Sequence, residues 1–343
     1  MNKQNLAIIT NEKTYFNNNS YFCDNIDMKS IPEGLDSKYN LQLFVRNSKL
    51  ERSTHQINLK NIFISQGILS YIFNVLRTNK SHNKYLIISL SPYTFIISIF
   101  LMILRKKIFV YLRSDGYEEY KCYSKFFGPL IYHLMFTIVS WRSNLIACRS
   151  HILRGKKGKI VYPSQLNQKW FLNRKSPNLN SIKLLYVGRI KIEKGVFSLL
   201  KILKEIKLDY KITIINSEKF YDKKLENENI NIINFKNKDD SIIKIYDDHN
   251  IFVLPSYTEG HPQVLDESLS RMRPVIIFPE ISHVIRKREG IIISERNANS
   301  LKDKIEYVKK EYTFIQKKMI NNQLPTKSDF IEDLFKILNQ DLK

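Results

Sequence analysis

Apolar and polar positions alternate along this chain in blocks that predict a repeated succession of strands and helices. Short, continuous apolar runs are typical of parallel strands that are covered on both faces. Longer stretches with apolar residues at helical spacing separate these runs. The predicted strands are Leu6–Thr10, Leu41–Val45, Tyr85–Leu90, Lys107–Leu112, Leu145–Cys148, Lys159–Val161, Lys183–Val187, Tyr210–Ile215, Ile230–Phe235, Ile251–Leu254, Pro274–Phe278 and Gly290–Ser294. The predicted helices are Ile64–Arg77, Tyr93–Leu104, 126–141, Gly195–Ile206, Ser241–Asp247, Val264–Arg271, 300–319 and 328–340.

Two such series predict an α/β fold with two doubly wound, Rossmann-like domains that face a central cleft. Residues 1–165 form the first predicted domain and residues 182–320 the second. Between them, residues 166–181 have little periodicity and are interpreted as a linker. The last residues, 321–343, are expected to form a helix that packs back toward the first domain. After the first strand, residues 11–22 are polar and predict a mobile loop.

The 343-residue chain carries a net charge of +22, and most of this surplus lies in its first half. Residues 1–175 hold 26 Lys and Arg against 9 Asp and Glu, whereas residues 176–343 hold 29 against 24. Such an excess predicts an anionic partner, which is a nucleic acid, a membrane surface or an acidic substrate. The alternative is the background basicity of a proteome rich in Lys, Asn and Ile. Three cysteines without CxxC spacing indicate a reducing compartment, and the apolar run at the N-terminus favours a strand over a signal peptide.

Residues 126–141 combine aromatic and aliphatic side chains with basic neighbours on both sides. Apolar side chains beside a Lys and Arg cluster suit shallow insertion into an anionic bilayer. The alternative is a core helix followed by a solvated basic loop, and the sequence does not decide between the two. His133, inside this run, is interpreted as structural.

Two segments of the second half carry candidate chemistry. In the first, a predicted strand runs into Gly188, and a short loop then holds Arg189 and Lys194 before a helix begins near Gly195. Arg grips phosphate oxygens in a bidentate manner and Lys adds a point charge. The carboxyl end of a strand is where doubly wound folds bind ligands.

The second segment, Pro255–Pro274, follows a predicted buried strand and contains two glutamates, Glu259 and Glu267, with a Gly-His-Pro turn between them. A proline at the start of a helix leaves backbone N–H groups free, and such a helix start attracts anions. This layout suits a ligand with an anionic centre and hydroxyl groups on both sides, such as a nucleoside-diphosphate sugar.

Together, and in this order, the sequences YVGRIKIEKG at 186–195, FVLPSYTEGHPQVLDESL at 252–269 and RPVI at 273–276 resemble the retaining glycosyltransferases of family GT4. These enzymes have the two-domain GT-B fold. The resemblance is strong over residues 182–295 and weak before them. It implies transfer of a sugar from a UDP- or GDP-linked donor, as co-substrate, with no bound metal.

The resemblance also implies roles for individual residues. Arg189 and Lys194 would hold the donor diphosphate and stabilise the leaving group, Glu259 would bind sugar hydroxyls, and Glu267 would accept hydrogen bonds from the ribose. Gly188, Gly260, Gln263, Val264 and Leu265 complete the predicted donor site with His261, whose expected role is to pack against the sugar, although it could be a base by type. Phe235 and Lys236 could line the base pocket. The predicted catalytic residues are Glu259, Arg189, Lys194 and Asp115.

Two roles are compatible with the residues that follow the strand Lys107–Leu112. Arg113 or Asp115 faces the reacting sugar, or Asp115-Gly116 forms a turn. The pairs Asp239-Asp240 and Asp247-Asp248 could suggest a metal site, and polar helix flanks are the favoured explanation.

The expected acceptor is a lipid-linked saccharide or lipopolysaccharide, met by a cytoplasmic enzyme that is peripheral on the inner face of the membrane. There are three alternatives: a GT-B enzyme with a soluble acceptor, a protein with the GT-B fold that is inactive or catalyses phosphorolysis, and a nucleic-acid-binding protein. No nucleic acid is expected, because net charge is its only support.

Overall fold

The computed structural model describes residues 3–49, 55–78, 82, 84–216, 226–234 and 239–340. The chain divides into two compact units. The first unit comprises the residues up to Pro163 together with the chain from Ser328 onward, and the second unit comprises Ser164–Lys327. Each unit is a doubly wound α/β structure, which confirms the fold class predicted from the strand and helix pattern.

The sheet of the first unit has a buried, largely apolar centre. The strands are β1 (Asn5–Asn17), β2 (Ser20–Cys23), β3 (Asn40–Asn47), β4 (His55–Ile57), β5 (Ile62–Ser65), β6 (Lys84–Ile88), β7 (Lys107–Leu112), β8 (Asn144–Ala147) and β9 (Gly158–Ile160). Their parallel part has the order β5–β3–β1–β6–β7–β8–β9. The order of strands reverses between β1 and β6, as in other doubly wound sheets.

Helices cover this sheet because each presents an apolar stripe to it. They include α1 (Asp27–Asp36), α2 (Ile68–Thr78), α3 (Pro92–Ile103), α4 (Gly116–Tyr123) and α5 (Phe127–Arg142). On one face, α2, α3 and α5 share a core with the strands, and α1 packs on the other face. The helix predicted over Ile64–Arg77 is thus shorter, because its first residues belong to β5.

The predicted loop over residues 11–22 is wrong, because these residues form a β-hairpin. Strand β1 continues to Asn17 and pairs antiparallel with β2, with Tyr15 opposite Phe22. Asn18 and Asn19 join the strands with φ values of 46° and 57°. Two consecutive residues with positive φ make the turn whose twist matches a hairpin, and Asn tolerates this conformation.

The second unit has a fully parallel sheet of six strands in the order β12–β11–β10–β13–β14–β15. The strands are β10 (Ile182–Gly188), β11 (Tyr210–Asn216), β12 (Ile230–Asn234), β13 (Ile251–Leu254), β14 (Val275–Ile277) and β15 (Ile291–Ile293). The helices are α6 (Val196–Glu205), α7 (Asp239–Asp248), α8 (Gln263–Ser270), α9 (Ala298–Lys310) and α10 (Tyr312–Met319). The predicted helix 300–319 is two helices, which meet at Glu311.

The last helix, α11 (Lys327–Asn339), lies with the first unit. Its buried side chains Phe330, Leu334 and Leu338 join the core face that α1 also covers. Ile331 packs so closely on Gly34 of α1 that a Cβ atom there would lie 2.7 Å from it.

Residues 166–181 differ from the linker that their weak periodicity predicted. They lie in the second unit, where Leu166 and Trp170 are buried in the main core. The carbonyl oxygens of Trp170, Leu172 and Asn173 accept hydrogen bonds from the buried guanidinium of Arg271. The segment is therefore fixed by polar contacts and by its apolar residues.

His249, between α7 and β13, is expected to give the second unit a pH-dependent contribution to stability. Burial lowers the pKa of His249 below its usual 6.5, although the hydrogen bond to the Ile245 carbonyl acts in the opposite direction. The folded state therefore binds a proton less readily than the unfolded chain. We expect this contribution to be complete above pH 6.5 and to be lost as the pH falls through the folded pKa, at about 1.4 kcal/mol per unit of difference in pKa.

An NMR titration of the His249 ring tests this expectation, with urea denaturation at pH 7 and pH 5 for the parent and His249→Gln. The parent should lose more stability than the variant on acidification. A His249 pKa above 6.5 would contradict it.

Candidate functional site

The two segments with candidate chemistry follow neighbouring strands of the second unit. Strand β10 ends at Gly188 and strand β13 ends at Leu254, and the two strands pair in parallel where the strand order reverses. Loops that leave the carboxyl ends of such strands diverge to opposite faces of the sheet and form a ligand crevice. The fold therefore brings together segments that lie about 65 residues apart in the sequence.

The loop after β10 is shaped by hydrogen bonds at both of its ends. The hydroxyl of Tyr186 donates to the carbonyl of Arg189 at 2.8 Å, and the amide of Tyr257 donates to the carbonyl of Glu193 at 3.0 Å. The Arg189 guanidinium is about half exposed and lies 4.0 Å from the carboxylate of Glu193. It is thus accessible to a ligand, and the ion pair with Glu193 is long and lies at the surface.

Gly195 joins the two loops through a close backbone approach. It directly precedes α6 with φ of 67°, and a Cβ atom at this position would lie 1.9 Å from the carbonyl oxygen of Pro255. Only glycine satisfies both the left-handed conformation and this separation. The site therefore depends on this residue for the distance between its two halves.

Gly195→Ala is expected to destabilise the second unit by about 2 kcal/mol or more, because it combines left-handed strain with a clash against backbone. It should also weaken donor binding, since Lys194 is displaced from its partner. Urea denaturation measures the first effect. Gly67→Ala is the matched control, because a Cβ atom there meets nothing within 4 Å. Equal stability of the two variants would contradict the close approach.

A short ion pair connects the two loops. The Nζ atom of Lys194 lies 2.7 Å from Oε1 of Glu259, and the hydroxyl of Ser256 donates to the same oxygen at 2.6 Å. Both charged side chains are mostly buried, at 22% and 11% exposure. Lys194 and Glu259 are therefore held in place before any ligand arrives. Ser256 was not among the predicted residues, although it lies inside the quoted motif.

The start of α8 follows the Gly-His-Pro turn. Pro262 directly precedes the helix, whereas the sequence predicted it at the first helical position. It contributes no side-chain cap. Gln263 and Val264, in the first turn, are partly exposed, whereas Leu265 is fully buried and belongs to the core. The amides of the first turn carry the positive end of the helix dipole. Leu265 can therefore contribute backbone to a donor site, but not its side chain.

The imidazole of His261 points inward and is only 2% exposed. Its Nε2 atom lies 2.9 Å from a carboxylate oxygen of Asp266, and Arg288 contacts the other oxygen of the same carboxylate. The ring is thus buried beside the ion pair that Asp266 of α8 forms with Arg288. This differs from the predicted packing of the ring against a sugar.

Glu267, in the second turn of α8, is oriented by a residue that the sequence did not single out. The hydroxyl of Tyr246 donates to Oε2 of Glu267 at 2.8 Å. Tyr246 is buried between Trp170 and Phe252. Burial raises the pKa of Tyr246 well above its usual 10, and the negative charge of Glu267 raises it further. The phenol therefore remains a hydrogen-bond donor through the physiological range.

Tyr246→Phe is expected to raise the KM for the donor about fivefold with a smaller change in kcat, because one hydrogen bond that orients Glu267 is lost. Steady-state kinetics measures both constants. Tyr312→Phe is the control, since it also removes a buried tyrosine hydrogen bond, to the carbonyl of Asn250, away from Glu267. An equal change of KM in both variants would contradict the positioning role.

The other predicted residues are distributed as follows. Asp115 caps α4 by accepting from the amide of Tyr117, and its carboxylate also contacts Arg154 at 2.7 Å and His151 at 3.4 Å. Arg113 pairs with Asp27 at 2.9 Å. Phe235 and Lys236, the predicted base-pocket residues, lie outside the described residues. Within the described part of the chain, no group of three or more His, Cys, Asp or Glu side chains could hold a metal ion.

Two further contacts of the site were missed from the sequence. Arg296 forms an ion pair with Glu280 at 2.7 Å and donates to the carbonyl of Pro255 at 3.0 Å. His283 lies 3.0 Å from the carbonyl oxygen of Glu259. Both come from segments without a recognisable motif, and both hold the backbone of the loop that carries Glu259.

Comparisons with solved structures agree with this fold. A sucrose-phosphate synthase from Thermosynechococcus elongatus has a TM-score of 0.68 at 14% identity, with 98% of this chain and 96% of that chain covered. HepE of Anabaena, solved with UDP-glucose, has a TM-score of 0.70 at 12% identity, with 97% and 99% covered. WaaG, a glycosyltransferase involved in lipopolysaccharide biosynthesis, has a TM-score of 0.66 at 12% identity, with 97% and 99% covered. No curated protein matches the chain in sequence.

The fold is thus that of the GT-B glycosyltransferases. Residues 168–324, which make up nearly all of the second unit, match the model of the family described as "Glycosyl transferases group 1". The second unit is thus similar to this family over nearly its whole length, and the prediction that the chain is an enzyme of the glycosyltransferase class is confirmed. Among the described residues, no helix has the length and apolar character to cross a membrane.

Proposed function

We propose that this chain is a retaining glycosyltransferase that moves a sugar from a UDP- or GDP-linked donor to a membrane-linked saccharide. The observation that carries the proposal is the short pair between Lys194 and Glu259 at adjoining strand ends, with Glu267 farther along α8. In the proposal, Lys194 supplies a cation, Glu259 a carboxylate for the sugar and Glu267 a carboxylate for the ribose, all in the crevice between the two loops. Retention of configuration follows from the resemblance of the two motifs to family GT4.

In the proposed reaction, the bond between the sugar and the diphosphate breaks while an acceptor hydroxyl forms a bond to the same anomeric carbon and gives its proton to the departing diphosphate. Negative charge builds on the leaving nucleoside diphosphate. Lys194 and the amides at the start of α8 stabilise this charge, because they are oriented before the reaction begins, and the accessible guanidinium of Arg189 adds a second cation. Glu259, held by Ser256 and Lys194, accepts hydrogen bonds from sugar hydroxyls. These groups neutralise the diphosphate without a bound metal ion. Asp115 is proposed as a further catalytic residue.

The proposed acceptor is a lipid-linked saccharide or a lipopolysaccharide, and the proposed location is the inner face of the cytoplasmic membrane. Two observations support this choice. Residues 1–175 carry a surplus of 17 positive charges, which an anionic acceptor or membrane would match. Among the similar structures are WaaG, involved in lipopolysaccharide biosynthesis, and WaaB, a lipopolysaccharide outer core galactosyltransferase.

Separate replacement of Arg189 by Ala and Glu267 by Gln tests the donor site. Hydrolysis of UDP- and GDP-sugars, or transfer to a lipid-linked acceptor, is measured for each variant and the parent. The proposal predicts that both variants lose activity, mainly through weaker donor binding for Glu267→Gln. Unchanged activity in both variants would reject this site.

A further inference from the structure

An apolar stripe runs along the solvent-facing side of α5. Its members recur at the spacing of one helix face, and they are Phe127, Leu130, Ile131, Leu134 and Trp141. Leu130 is 63% exposed and Trp141 82%. The opposite face of the same helix packs into the core through Tyr132, Met135, Phe136 and Val139. A helix that is apolar on all sides is normally enclosed, so the exposed stripe indicates a partner.

The neighbouring helix α3 extends this stripe into a broader surface. Helices α3 and α5 contact each other on the same face of the sheet. We call the combined set the α3–α5 apolar surface; it consists of Phe100, Ile103, Leu104, Phe126, Phe127, Leu130, Ile131, Leu134 and Trp141, all of them exposed. An accumulation of exposed apolar side chains on two neighbouring helices is typical of an interaction site.

The chain segment that contains α5 is strongly basic. Residues 120–159 contain eight Lys and Arg and no Asp or Glu. Their exposed members are Lys121, Lys125, Arg142, Arg154, Lys156, Lys157 and Lys159. Asp115 and Glu118, which precede this segment, contact Arg154 and Lys121. A second copy of the chain would bring like charges together here, whereas an anionic bilayer would accept both the cations and the apolar side chains.

We infer that the α3–α5 apolar surface inserts shallowly into an anionic lipid bilayer. The inference deepens the proposed function, on which it rests for the lipid-linked acceptor. Helix α4 begins directly after β7 and packs on the start of α5, where a Cβ atom on Gly128 would meet the carbonyl oxygen of Tyr120. The surface therefore adjoins the sheet edge that carries Arg113 and Asp115, and a bilayer seated on it would present its headgroups to that edge.

The test compares two pairs of uncharged substitutions in the full chain. Leu130→Gln with Leu134→Gln alters the surface, and Phe314→Gln with Ile320→Gln alters two exposed apolar side chains of the second unit. Flotation with vesicles of phosphatidylglycerol and phosphatidylcholine is expected to give at least about tenfold weaker binding for the first pair, because two apolar side chains leave the bilayer. The control pair should bind like the parent, and phosphatidylcholine alone or high salt should weaken all binding.

Three outcomes would overturn the inference. In the first, the parent protein stays unbound on anionic vesicles at low salt. In the second, the Leu130→Gln/Leu134→Gln variant binds the vesicles as tightly as the parent. In the third, analytical ultracentrifugation finds that the parent is a dimer and this variant a monomer, so that the surface joins two copies of the chain. A thermal-shift response to UDP- or GDP-sugars, measured on every variant, separates the two proposals. If the protein binds vesicles but shows no thermal shift with nucleotide sugars, the donor site is rejected and the membrane-binding role of the α3–α5 apolar surface is still supported.

Discussion

Lys194→Ala is expected to lower kcat for sugar transfer or donor hydrolysis about 100- to 1,000-fold, the cost of removing one group that stabilises charge developing in a transition state. Two contacts give this residue its importance. Its ammonium lies 2.7 Å from Glu259, and it directly precedes Gly195, whose close approach to Pro255 fixes the loop. The cation is therefore already in place when the diphosphate begins to leave.

Lys201→Ala is the matched control for this experiment, because Lys201 is an exposed lysine on α6 outside the crevice. It should retain the activity of the parent. In Lys194→Ala, Ser256 still donates to Glu259, so the thermal midpoint should change little. A variant with full activity and an unchanged midpoint would contradict the assigned role, whereas a large loss of stability would show that the pair is mainly structural.

Arg271→Met is expected to lower the free energy of unfolding of the second unit by about 3–5 kcal/mol, because it leaves a buried carboxylate without its main partner. The guanidinium is 1% exposed and holds Asp247 through two hydrogen bonds of 2.9 and 2.8 Å. It also binds three carbonyl oxygens of residues 170–173. Removing it therefore loosens the segment as well as the ion pair.

Urea denaturation followed by the fluorescence of Trp170 measures this loss, in a background where the exposed Trp141 is replaced by Phe. Adding Asp247→Leu to Arg271→Met should recover part of the stability, since no unpaired charge then remains. Arg174→Met is the control, because this exposed arginine donates a single hydrogen bond from Nε to the carbonyl of Ser270. Equal effects of Arg271→Met and Arg174→Met would contradict the account.

Strands β13 and β14 were predictable because each is a continuous buried apolar run with little choice of conformation. The donor motifs were equally visible, since Gly188, Gly195 and the Glu259 loop impose backbone geometry that few other residues allow. Sequence alone could not bring Lys194 within 2.7 Å of Glu259, because that contact depends on β10 and β13 being neighbours.

Other features escaped prediction because tertiary contacts override local preference. Helix α1 contains Pro32 and Gly34, both unfavourable inside a helix, yet its apolar side chains Met28, Ile31 and Leu35 are buried. The interpretation of residues 166–181 as a linker overlooked that Arg271, about 100 residues later, would bind their carbonyl groups. Tyr246 stands outside any motif, and only its position beside Glu267 reveals its role.

The central claim is that the crevice between the β10 and β13 loops binds a nucleoside-diphosphate sugar. A thermal-shift screen of the parent and Glu267→Gln against UDP-, GDP-, ADP- and CMP-sugars tests it most directly, because a ligand that binds only the folded state raises its stability. The account predicts that a UDP- or GDP-sugar raises the midpoint of the parent and raises that of Glu267→Gln much less. No shift with any nucleotide sugar, or equal shifts in both proteins, would contradict it.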